Sequence, residues 1–130
     1  MDEDRREGLA HQAADLVLVV EDEFLIAMEM KAVLLGAGYA VLGPAATVAD
    51  ALSLLEQWRP DAAVLDVNLG GERITPVAMA LKRRDVPFVL TTAYWPADLA
   101  NEPLLSGAVN LGKPTSPIRL LNALERMLAH

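Results

Sequence analysis

The sequence predicts an α/β fold in three layers, a doubly wound parallel sheet of five strands with helices packed on both faces. From Leu16 onward, short apolar runs alternate strictly with segments of helical period, the pattern of strands joined by right-handed helical crossovers. The runs are also continuous, as in Leu-Val-Leu-Val-Val at 16–20, where a strand with one wet face would alternate with polar residues. With 130 residues, 53% of them hydrophobic, the chain can bury one sizeable core and leaves no room for a second domain of ordinary size.

Residues 1–14 are polar and acidic without apolar period and read as a flexible N-terminal extension, with a single domain over 15–130. The first strand, 16–20, is followed by a helix over 24–37 with Ile26, Met30, Val33, Leu34 and Ala37 on one face and Gly38 ending it. Leu25, Met28, Ala32 and Leu35 form a second apolar stripe on that helix, readable as extra core or as a docking surface for a partner's helices. Residues 39–45 read as the second strand. Thr47 with Asp50 then resembles a capping box, opening a helix through Ala51, Leu52 and Leu55 that Pro60 stops. The third strand is 62–65, followed by a loop over 68–73 whose Gly70-Gly71 lacks the glycine spacing of a dinucleotide fingerprint. A helix through Val77, Ala78 and Leu81 leads to the fourth strand, 87–91. Residues 96–106 read as a short, weakly held fourth helix, because Pro103 lacks an N–H and obstructs the preceding turn. A short fifth strand, 109–111, precedes a last helix opened by Ser116-Pro117 and carrying Leu121, Leu124 and Leu128.

Composition excludes several functions. A net charge of −7 opposes nucleic-acid binding, which needs clustered Lys and Arg, and makes cations the natural partners. There is no cysteine, and His11 and His130 lie too far apart to be metal ligands, so any metal is held by oxygen. No apolar run is long enough to span a membrane, and the charged start does not suit a signal peptide; the expected location is the cytoplasm.

Ligands of open α/β sheets sit at the carboxyl ends of the strands. Here the first strand ends in Glu21-Asp22-Glu23, the third in Asp66, the fourth in Thr91-Thr92, and the fifth is followed by Lys113-Pro114. Singly, each has a bland reading: acidic residues favour a helix N-terminus, Thr favours strands, and Lys-Pro makes a loop. Asp66 is harder to dismiss, since a carboxylate closing a buried run is costly to desolvate unless a cation meets it. Jointly the residues fit phosphoryl transfer to a carboxylate. Asp66 is then the nucleophile, Asp22, Asp66 and a backbone carbonyl are ligands for Mg²⁺ or Mn²⁺, and Lys113 and Thr92 grip the phosphoryl oxygens.

Over nearly all of 16–130 the chain resembles the receiver domains of two-component response regulators. The segments that carry the resemblance are Val-Val-Glu-Asp-Glu at 19–23, Val-Leu-Asp-Val-Asn-Leu at 64–69, Leu-Thr-Thr-Ala at 90–93 and Gly-Lys-Pro at 112–114, in that family's order and spacing. The resemblance implies a strand order 2-1-3-4-5 and a single-domain regulator phosphorylated by a sensor histidine kinase. It makes Asp66 the phosphoacceptor, and Glu21 and Asp22 the acidic pair serving Mg²⁺, with the Asn68 carbonyl a further ligand. Thr92 becomes the switch hydroxyl and Lys113 the phosphate-binding lysine, with a cis peptide before Pro114. The expected output is a changed contact with another, unidentified protein, or within a homodimer, with no DNA or membrane partner.

Residues 87–94, Pro-Phe-Val-Leu-Thr-Thr-Ala-Tyr, further resemble a single-domain subgroup marked by Pro-Phe-x-Phe-Ala-Thr-Gly-Tyr and linked to HWE-type kinases; Leu90, Thr91 and Ala93 depart from it. Many receivers carry an aromatic switch residue three positions before the lysine, where this chain has Asn110, and Tyr94 is a candidate replacement. A phosphatase with an aspartyl nucleophile is the rival from another class, but its motif needs a second Asp where this chain has Asn68. A receiver that works without phosphorylation is opposed by the complete set Glu21, Asp22, Asp66, Thr92 and Lys113. A phosphate sink or a relay intermediate fits the same residues as a signalling switch.

Overall fold

The structure is a computed structural model and describes residues 14–93 and 102–129. Among these, in chain order, are β1 (Leu16–Val20), α1 (Phe24–Gly36), β2 (Ala40–Ala45), α2 (Val48–Gln57), β3 (Ala62–Asp66), β4 (Asn68–Leu69), β5 (Glu72–Arg73), α3 (Thr75–Arg83), β6 (Phe88–Thr91) and α4 (Pro117–Met127). The main sheet runs β2-β1-β3-β6 with every pairing parallel. This is the expected order, with the central strands buried along almost their whole length.

Strand periodicity sorts the core into two layers. Val17 and Val19 of β1, Ala62 and Val64 of β3 and Val89 of β6 face Met30 and Leu34 of α1 and Leu120 and Leu124 of α4. Their neighbours Leu18, Val20, Ala63, Leu65 and Leu90 face Ala51 and Leu55 of α2 and Val77, Ala78 and Leu81 of α3. The two helical layers therefore clamp the sheet from opposite sides.

Local chemistry sets the helix ends. Thr47 Oγ1 accepts from Asp50 N at 3.0 Å, the expected cap of α2, and Ser116 Oγ accepts from Arg119 N at the start of α4, where Pro117 occupies the first turn. After α1, Gly38 takes φ +95°, a conformation that favours glycine.

Several expectations are corrected. Residues 68–73 are not a plain loop: β4 and β5 form a small antiparallel hairpin across Gly70-Gly71, whose φ values of +54° and +91° give the positive-φ pair of a tight hairpin turn. The fifth strand is reduced to one parallel bridge, Leu90 with Asn110, closed by Leu90 N to Val109 O and Leu111 N to Leu90 O, each 2.8 Å. The expected fourth helix falls partly outside the described residues, as do Tyr94 and most of the N-terminal extension; the described part, 102–107, is a turn anchored by the fully buried Leu105. The second stripe on α1 is not extra core, since Leu25 is 80% and Leu35 51% exposed, and Phe24 beside them is 70% exposed. No helix among the described residues is long and apolar enough to cross a membrane.

Candidate functional site

Parallel pairing brings the carboxyl ends of β1, β3 and β6 to one edge. Val20 is in register with Leu65, and Asp66 with Thr91, so Glu21, Asp66 and Thr91 lie at one level, with Thr92 one residue further on. Glu21, Asp22 and Asp66 each present a carboxylate oxygen within 4.8 Å of the others. Glu21 and Asp66 are buried while Asp22 faces solvent, so the cluster opens on one side.

Lys113 reaches into this cluster from the loop before α4. Its Nζ donates to Asp66 Oδ2 at 3.0 Å and to Glu21 Oε2 and Glu23 Oε2 at 3.1 Å each. The lysine follows Gly112, at φ +80°, and precedes a cis peptide to Pro114, as expected; Thr115 Oγ1 donates to Gly112 O at 2.7 Å across this turn. Burial by itself would lower the Lys113 pKa, but hydrogen bonds to Asp66, Glu23 and Glu21 outweigh it and hold the ammonium protonated above the ordinary lysine value.

Glu21 is the strained member of the set. Burial pushes its carboxyl up to about 7, and the nearby Asp66 charge adds to the rise, against the lowering hydrogen bonds from the Glu23 N–H and Lys113. Lys113 Nζ lies 3.1 Å from Oε1 as well, but only Oε2 meets it with hydrogen-bond geometry, which leaves Oε1 buried without a hydrogen-bond donor. An orphaned carboxylate oxygen beside two further carboxylates is a donor set suited to a hard divalent cation.

The remaining predicted residues sit close by in the chain. Asn68 donates its backbone N–H to Asp66 Oδ1 at 3.2 Å and accepts from Gly71 N through its side chain, which ties the hairpin to the nucleophile candidate. Gly70 lies against Asp22, where an added Cβ would meet Oδ2 at 3.6 Å. Thr92 is buried directly after β6, and the buried Thr91 Oγ1 has no hydrogen-bond partner.

Sequence reasoning missed two participants. Glu23, placed with the acidic run but given no role, is a direct partner of Lys113; acidity alone did not separate it from its neighbours. Asn110, noted only as lacking an aromatic ring, holds Thr92 N and Gly112 N through its side-chain oxygen at 3.1 and 3.0 Å and donates to Thr92 O at 3.4 Å.

Residues 17–125 match the family model of the response regulator receiver domain. The chain belongs to that family. It is 34% identical over 98% of its length to the phyllosphere-induced regulator PhyR of Methylorubrum extorquens, and 33% identical over 84% of its length to the transcriptional regulatory protein PdtaR of Mycobacterium tuberculosis. It spans 48% of the former and 54% of the latter, about half the length of these curated relatives. Among solved structures, the BeF3-activated conformation of SdrG from Pseudomonas melonis Fr1 is 39% identical, with a TM-score of 0.72 over 90% of this chain and 98% of that one. This receiver domain is therefore a signalling module, similar to proteins that are regulators.

Proposed function

We propose that this receiver accepts a phosphoryl group on Asp66 in a Mg²⁺-dependent reaction and signals by changing its contacts with other proteins. The observation that carries the reading is the convergence of Asp66, Glu21 and Glu23 within 3.1 Å of the Lys113 ammonium at the strand edge. Asp66 Oδ attacks phosphorus as the donor's bond to phosphorus breaks, which leaves an acyl phosphate and transfers the electron pair to the leaving group. Glu21, Asp22 and Asp66, with the Asn68 carbonyl, would hold Mg²⁺ or Mn²⁺, which would supply positive charge to offset that of the phosphoryl oxygens. Lys113 and Thr92 hold those oxygens after transfer.

The donor in this reading is a sensor histidine kinase, with an HWE-type kinase suggested by residues 87–94. The exposed Phe24, Leu25 and Leu35 on α1 are its docking surface. Phe24 and Leu25 follow directly on Glu23, whose carboxylate reaches Lys113, so a helical partner seated there stands beside Asp66.

The test is binding of beryllofluoride, which mimics an aspartyl-bound phosphoryl group, in the presence of Mg²⁺. Wild type is expected to bind and to be labelled by acetyl phosphate, and Asp66→Asn to do neither. Undiminished labelling of Asp66→Asn would place the acceptor elsewhere.

A further inference from the structure

We infer that Asn110 is a positioning residue, whose side-chain amide stands in for a missing peptide group of the sheet and fixes Thr92 and the Lys113 loop to one frame. The inference rests on the reading that Thr92 and Lys113 grip a phosphoryl group. Its basis is the way the fifth strand stops.

Leu90 pairs with the 109–111 segment as a parallel ladder requires, donating to Val109 O and accepting from Leu111 N. The next rung would join Thr92 N to Leu111 O and Thr92 O to Lys113 N. That rung is replaced. Thr92 N donates to Asn110 Oδ1 at 3.1 Å, and Asn110 Nδ2 donates to Thr92 O at 3.4 Å, so one carboxamide meets both backbone groups. Leu111 O, released from the ladder, accepts instead from Arg119 Nη1 at 3.0 Å.

The same Oδ1 accepts from Gly112 N at 3.0 Å, an i to i+2 turn of the kind Asn side chains favour. With Gly112 at φ +80°, the chain leaves the strand direction just before Lys113, whose ammonium then reaches Asp66 at 3.0 Å. One oxygen is thus shared by the backbone of Thr92 and the backbone that delivers Lys113. An aromatic ring in this place has no acceptor for either N–H. Here the two gripping residues are locked to each other by hydrogen bonds, where other receivers place a ring that moves inward.

The experiment compares wild type with Asn110→Leu, which keeps the branched connectivity and removes the bonds, and with Asn110→Ser, whose hydroxyl still reaches Gly112 N but is too short for Thr92. Mg²⁺ affinity, beryllofluoride affinity at saturating Mg²⁺ and melting temperature are measured on each, together with amide exchange at Thr92. Losing the two hydrogen bonds to Thr92, a loss common to both variants, predicts beryllofluoride binding weaker by roughly tenfold in each. Mg²⁺ affinity should stay within about twofold of wild type, since the acidic cluster is untouched. Thr92 amide protection should fall in both variants. A purely structural role would lower the melting temperature and weaken both ligands together, and that pattern overturns the inference, as does wild-type beryllofluoride affinity in Asn110→Ser. Should Asn110→Leu not fold, Asn110→Ser carries the comparison alone. Failure of wild type itself to bind beryllofluoride would count against the phosphoacceptor reading. The clamp would then be decided by Thr92 exchange, where unchanged protection in Asn110→Ser refutes it.

Discussion

The Lys113 ammonium stands 3.0 Å from Asp66 Oδ2 while also pairing with Glu21 and Glu23, so a single cation answers three carboxylates. Two consequences follow from electrostatics. The lysine is held near the atom expected to take the phosphoryl group, ready to meet its oxygens. It also competes with any cation that approaches Glu21 and Asp66.

Lys113→Ala is therefore expected to separate the two ligands. Removing the competing ammonium should tighten Mg²⁺ binding by about threefold to tenfold. Beryllofluoride binding should weaken by at least about tenfold, because a charge-assisted hydrogen bond to the anion is gone. Calorimetric titration of both ligands on one preparation reads the split. A collapse of Mg²⁺ affinity with beryllofluoride binding intact would remove Lys113 from the phosphoryl site.

A second prediction concerns pH. Glu21 titrates at about 7 in the folded protein against an ordinary 4.5, because burial penalises its charge. Between those values the native state holds the extra proton, so this group's contribution is fully present below about 4.5 and is lost as pH rises through 7. A difference of that size corresponds to roughly 3 kcal/mol of stability lost above pH 7 in metal-free protein. Denaturant melts in chelator should show stability falling from pH 5 to pH 8, and Glu21→Gln should flatten that slope while weakening Mg²⁺ binding. A wild-type slope of the opposite sign, carried over unchanged into Glu21→Gln, would mean that this carboxyl is not the one held neutral.

The elements that sequence identified best are those whose pattern has a single physical cause. Continuous apolar runs at 16–20 and 62–65, short and set between helix-period segments, fit strands covered twice, and Thr47 and Ser116 cap their helices as the chemistry of the termini demands. The acidic cluster was legible because the strand ends must converge in a parallel sheet. Less legible were features that depend on tertiary partners. Whether Leu25 and Leu35 face core or solvent turns on which side of α1 meets the sheet, and an amphipathic period is weak in a helix apolar nearly all round. Asn110 looked like an absence because its partners, Thr92 and Gly112, are set by a ladder that ends one rung early.

A third prediction tests the β1–β2 edge that carries Glu21. Gly43 takes φ +95° where the register between these strands shifts, and an added Cβ would lie 2.7 Å from Ala45 N and 3.0 Å from Val19 O. Both neighbours are backbone and cannot move aside cheaply. Gly43→Ala should cost about 2 to 4 kcal/mol, combining an unfavourable backbone conformation with displaced strand backbone. Ala45 O accepts from Glu21 N at 2.9 Å, so Mg²⁺ affinity should fall as well. Equilibrium denaturation within 0.5 kcal/mol of wild type, taken as roughly the scatter of neutral surface changes, would show that the edge tolerates a side chain.

The last prediction addresses the exposed apolar face of α1. Phe24 and Leu25 are 70% and 80% exposed on the first turn, and Leu35 is 51% exposed two turns and more beyond. Exposing these side chains together contributes nothing to folding, so their replacement by polar residues should leave stability within about 0.5 kcal/mol of wild type. A helical partner that buries them gains roughly 1.5 to 3 kcal/mol for each large side chain it covers, and it stands next to Glu23 and therefore next to Asp66. Phe24→Ser with Leu25→Ser should consequently slow phosphotransfer from a histidine kinase by at least about tenfold, read as the second-order rate. Labelling by acetyl phosphate needs no protein partner and should be unchanged, as should beryllofluoride affinity. Equal losses with kinase and with acetyl phosphate would indicate damage to the acidic site itself, whereas an unchanged kinase rate would mean that the donor approaches across another face.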